Sequence, residues 1–99
     1  MQTLLYLVSK EVRMTTYRFR VPPMREFEAK DDDNLIREVG RTFFYAELDM
    51  PLLLKNVANA CCDWNGMAYR YGTKEELIAD MKKNDILINM DERKANEKS

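Results

Sequence analysis

Ninety-nine residues and 11.7 kDa fit one domain and exclude a two-domain enzyme, since single cores span about 50 to 200 residues. A 45% apolar and 33% charged composition excludes a chain disordered throughout. Sixteen Lys plus Arg against seventeen Asp plus Glu lack the basic excess of a general nucleic-acid binder, and the absence of His removes the commonest general base and metal ligand.

The first ten residues hold one short apolar run, Leu4 to Val8, with no basic residue before it. This fails as a signal peptide and as a membrane span, so a cytoplasmic protein is expected. Leu4, Val8 and Val12 recur at helical spacing, yet the same run fits a buried strand, and the element stays open. Met14 offers a second beginning directly before a strand pattern, which makes residues 1–13 a candidate peripheral extension. Tyr17, Phe19 and Val21 then alternate with Arg18 and Arg20, predicting a strand over 16–21 with one apolar and one cationic face. Pro22 and Pro23 stop it. A return strand over 25–29 would bring Glu26 and Glu28 up to Arg18 and Arg20.

Asp31, Asp32, Asp33 and Asn34 precede Leu35, Ile36, Val39 and Phe43, whose spacing predicts a helix over 33–45, capped and dipole-matched by the aspartates. A divalent-cation loop would need the alternating acid-Gly pattern and a later Glu, which this stretch lacks. Asp49, Met50 and Pro51 open a second helix that Asn65 and Gly66 close, predicting 50–64. Its polar residues Lys55, Asn56, Asn59 and Asp63 fall within about 100°, leaving an apolar arc of about 200° from Leu53 to Trp64. A surface helix needs a stripe of about 100°, so cover on two sides is expected, from its own domain or from another chain.

Met67 to Tyr71 alternates again and predicts a strand with Tyr69 and Tyr71 on one face, ended by Gly72. Thr73 and Glu76 form a capping box for a helix over 74–84 carrying Leu77, Ile78 and Met81. Residues 85–90 read as a final strand covered on both faces, and the charged stretch 91–99 is expected to fray. The expected fold is a two-layer α+β domain over 1–90, about three helices on a small, mainly antiparallel sheet.

Cys61 and Cys62 are adjacent, and neighbouring Cα atoms about 3.8 Å apart are too close for an ordinary disulfide, which points to a reducing compartment. Near a helix C-terminus, whose dipole opposes thiolate formation, both read as small core residues. No nucleotide loop, metal set or nucleophile–base pair can be assembled at workable spacing, so neither an enzyme nor a cofactor is expected. Carboxylates such as Asp31 and Asp33, or Cys61, would have to carry any catalysis. The expectation is therefore a small cytosolic regulator or inhibitor that covers a protein partner, of the size frequent among phage and mobile-element accessory proteins. Self-pairing through the apolar arc is one route.

Trp64, Tyr69, Arg70 and Tyr71 are the candidate partner-binding residues, because Trp, Tyr and Arg are enriched in binding hot spots. The alternative is a nucleic-acid-associated regulator with Arg13, Arg18, Arg20 and Arg25 on phosphates. It lacks an RNA-binding aromatic motif, and the nearby acids offer these arginines a simpler role.

Overall fold

The computed structural model describes residues 14–92. The expectations for residues 1–13, including Arg13, and for 93–99 lie outside this range. The described chain runs β1 (Thr15–Phe19), β2 (Arg25–Ala29), α1 (Asp32–Arg41), α2 (Met50–Asn65), α3 (Lys74–Lys83) and β3 (Leu87–Asn89). The sheet order is β2-β1-β3 with both pairings antiparallel, so the expected α+β architecture is present.

Side-chain alternation assigns the two faces of the sheet. Tyr17 pairs with Phe27 and Phe19 with Leu87, and these residues turn toward the helices. Arg18 lies between Glu26 and Ile88 on the opposite, solvent-facing side, with its guanidinium 2.6 Å from the Glu26 carboxylate. The register sets Glu28 across from Thr16, so the expected second acid of the hairpin meets no arginine. Arg20, just beyond β1, binds Asp85 instead, 3.0 Å from its carboxylate and 3.2 Å from its carbonyl oxygen. The final strand is three residues rather than six, with Leu87 buried and Ile88 only partly so. Asp91 and Glu92 are helical, and the Thr16 amide donates to the Asp91 carboxylate at 3.4 Å.

The first helix begins as the sequence indicates, with the Asp31 carboxylate accepting from the Asn34 amide at 2.8 Å. Leu35, Ile36 and Val39 enter the core. The helix stops at Arg41 rather than 45. There the Phe44 amide donates to the Arg41 carbonyl at 3.2 Å and the Tyr45 amide to the Gly40 carbonyl at 2.9 Å, the paired bonds of a Schellman cap. Phe44, at φ 65°, occupies the left-handed position of that cap. Arg25 ties the hairpin to the same end of α1. It donates to the Glu38 carbonyl at 2.7 Å and to Thr42 Oγ1 at 3.2 Å, and its guanidinium lies over the Phe27 ring. A cation at the carbonyl end of a helix is also favoured by the helix dipole.

The second helix starts with Pro51 in its first turn and ends on Gly66 at φ 75°, whose amide donates to the Cys62 carbonyl at 2.7 Å. Leu53, Leu54, Val57, Ala58 and Cys61 are buried, an arc of about 140° rather than 200°. Cys62 is exposed, which corrects the expectation that both thiols sit in the core. Trp64 shares the azimuth of the buried stripe but is 45% exposed. Sixteen residues of α2 outrun the ten-residue helices on either side, so its last turn projects past its cover.

No strand forms over residues 67–71. This strap between α2 and α3 gains its hydrogen bonds from side chains: the Arg70 amide donates to Asp80 Oδ2 at 2.8 Å, and the Tyr69 hydroxyl accepts from the Asn65 amide nitrogen at 2.6 Å. Alternation still operates locally, since Tyr69 is buried between exposed Ala68 and Arg70. Thr73 caps α3 by accepting from the Glu76 amide at 3.1 Å. Glu76 does not complete the box; its carboxylate faces Arg70 at 3.7 Å.

Candidate functional site

The unusual feature is what the α1 cap presents. Phe44 is 95% exposed, a whole aromatic ring in water. Left-handed backbone costs a non-glycine residue about 1–2 kcal/mol, and glycine is the usual occupant of this cap position. A second Schellman cap ends α3: the Ile86 amide donates to the Met81 carbonyl at 3.0 Å and the Asp85 amide to the Lys82 carbonyl at 3.0 Å, with Asp85 at φ 64°. Aspartate tolerates that conformation; phenylalanine has no such local compensation. Met24, in the hairpin turn, repeats the combination, at φ 62° and 56% exposed. Arg25, next to Met24, reaches Thr42, so these two apolar side chains stand on loops held together at one end of the molecule.

The Phe44 loop is not free to collapse onto the core. Arg37 Nη1 donates to the carbonyls of Ala46 and Leu48 at 2.8 and 3.1 Å, fixing the chain between α1 and α2. Phe43, one residue earlier, packs edge-on against Phe19, and Tyr45 lies 6.0 Å from Phe43 by ring centroids. The flanking rings therefore anchor inward while Phe44 points out.

A second feature lies where the N-termini of α2 and α3 meet the strap. Met50, Pro51, Leu54 and Tyr71 line an open groove of about 630 Å³, with Lys55 and Glu75 on its rim. Lys74 forms an ion pair with Asp33, which holds the start of α3 against the first turn of α1 and raises the Lys74 pKa. Arg70 grips Asp80 through its guanidinium at 2.8 Å and its own amide, and these hydrogen bonds hold the Asp80 carboxyl down at about 2. The strap that carries Tyr71 is thereby fastened to α3.

Among the sequence-derived candidates, Tyr71 faces the groove and is 46% exposed. Tyr69 is buried and Arg70 is committed to Asp80, so neither stands free to anchor a partner. Trp64 is open to solvent but belongs to the last turn of α2, while Tyr71 lies beside its first turns, so the four residues form no single patch. Arg18, Arg20 and Arg25 each face a carboxylate. Burial pushes the Cys61 thiol up to about 12, the opposite of an activated nucleophile. Asp31 caps α1 and Asp33 pairs with Lys74. Among the described residues no three His, Cys, Asp or Glu side chains group to hold a metal ion, and no helix is long and apolar enough to cross a membrane.

Phe44 and Met24 were hidden in the sequence. A Phe-Phe-Tyr run inside a helical stripe signals core, and only the left-handed backbone at its centre turns one ring outward. No protein-family model, curated protein or solved structure matches this chain.

Proposed function

We propose that this chain is a non-catalytic protein-interaction module, a small cytosolic regulator or inhibitor, whose principal anchor is Phe44. One observation carries the reading: a ring 95% exposed on left-handed backbone, on a loop tied down by Arg37, Phe43 and Tyr45. Full burial of such a side chain is worth about 1.5–3 kcal/mol, so a fold that leaves it in water forgoes that energy unless a partner supplies the cover. Pairing of Arg18, Arg20 and Arg25 with acids supports this reading over phosphate contacts, because those guanidiniums would have to leave existing partners.

The test places a photo-crosslinking residue at position 44 and, as control, at Glu28 on the polar face of the sheet. In native extract, a discrete adduct with another protein at position 44 and none at 28 is expected. No adduct at 44, or equal labelling at both positions, rejects the interface. An adduct at 44 of only twice the chain mass leaves a self-associating protein and rejects the regulatory role.

A further inference from the structure

We propose that the interaction surface is also self-complementary: Phe44 of one copy enters the groove lined by Met50, Pro51, Leu54 and Tyr71 of a second, which returns its own Phe44. The inference rests on the reading of Phe44 as an anchor and names one occupant for it. Knob and groove lie on the same chain, so a two-fold pair would exchange the same contact in both directions. The groove, at about 630 Å³, is roomy enough for an aromatic side chain and offers it an apolar lining.

Charge agrees with this geometry. Exposed Glu47 and Arg41 flank the Phe44 loop, and exposed Lys55 and Glu75 rim the groove, giving each copy an acid and a base for the other. Of these, Glu47, Lys55 and Glu75 have no ion-pair partner among the described residues. Helix ends agree as well. Phe44 follows the carbonyl end of α1, whereas the groove sits at the amide ends of α2 and α3, so the facing dipoles attract.

Each ring buries about 150–250 Å² and covers a similar area of its groove, giving roughly 600–1,000 Å² for the pair. That falls below the interface of about 1,200 Å² that marks stable complexes. The self-pair is therefore weak, with a dissociation constant in the micromolar range or above, and a tighter partner of Phe44 displaces it.

Sedimentation velocity of the full chain from about 1 μM to about 1 mM is the test. A concentration-dependent rise from one chain mass to two is expected. Phe44→Ala removes the knob and Pro51→Glu blocks the groove, the latter in a first helical turn that accepts an acid. Each alone should weaken pairing at least about tenfold, with circular dichroism and melting temperature reporting an intact fold. An equimolar mixture retains one knob and one groove, half of the wild-type contacts, so it should pair more strongly than either variant alone and more weakly than wild type. Should Pro51→Glu unfold, Tyr71→Glu serves the same purpose. A wild-type monomer throughout, a Phe44→Ala chain that pairs as before, or a mixture that pairs as tightly as wild type overturns the proposal. A monomer that still yields the position-44 adduct with another protein overturns self-pairing alone and leaves the partner-binding reading standing.

Discussion

Gly40 of α1 packs against Leu53 of α2, and replacing it with alanine perturbs the contact beside the Phe44 loop. An added Cβ would lie 2.5 Å from Leu53 Cδ1, well inside the carbon–carbon optimum of about 3.5–4.0 Å. Leu53 is fully buried, so its methyl has no solvent to swing into and α1 must shift by about 1 Å. Overpacking of this kind costs about 1–3 kcal/mol. Against it stands the helix preference of Ala over Gly, about 0.8–1 kcal/mol, reduced near the helix end. The net loss is about 0.5–2 kcal/mol, read as a lower urea midpoint and a melting temperature lower by about 4–8 °C per kcal/mol. Leu53→Ala alone costs about 2–5 kcal/mol. In that background the clash is gone and the methyl added at position 40 helps fill the cavity, so Gly40→Ala should stabilise. A reversal of sign between the two backgrounds is the required outcome. Equal effects in both, or a Gly40→Ala protein more stable than wild type, would show that the close approach to Leu53 does not set the helix crossing.

Two further outcomes follow from the caps and the strap. Phe44→Asn should raise stability by about 0.5–1 kcal/mol in thermal melts, because asparagine accepts left-handed backbone and the lost ring touches little; a loss above about 1 kcal/mol would mean that the ring packs on its own domain. Asp80 titrates at about 2 in the folded chain against an ordinary 3.8, so between these values the unfolded chain binds more protons and stability falls as pH drops through that window. Asp80→Asn should flatten this acid limb in urea midpoints taken from about pH 6 to about pH 2, leaving a constant deficit above about pH 4 of no more than about 1 kcal/mol, because Arg70 is 60% exposed and screened by water. An unchanged acid limb in the variant would remove Asp80 as its source.

The elements most legible in sequence were those with local punctuation. Thr73 before Glu76, Asp31 before Asn34, and Gly66 after Asn65 each act within a few residues, and each falls within a residue or two of an observed helix end. Period-two alternation located β1 for the same reason, and the proline stop after it placed the return strand β2. It misled at 67–71 because strand formation needs a neighbour, and the partner of that backbone is the Asp80 carboxylate on another helix. The apolar arc of α2 was read by angle alone. Burial also depends on length, and Trp64 sits beyond the reach of its shorter neighbours. Tyr71 was recognised by residue type, whereas the groove around it requires Met50, Pro51 and Leu54 to arrive from the far end of α2. Phe44 escaped because no glycine stands at the left-handed position past the end of α1; the cap is made by hydrogen bonds to the carbonyls of Gly40 and Arg41.

The placement of β2 at the border of the sheet has a bearing on solubility. Its outward backbone could template another strand, and its centre, Phe27, favours such growth. Glu26 and Glu28 bracket that residue, so two borders meeting antiparallel about Phe27 would press carboxylate against carboxylate. Replacing both with glutamine lifts this guard, and concentrated samples of that variant become prone to fibrous association along the border rather than to orderly pairing at the helix ends.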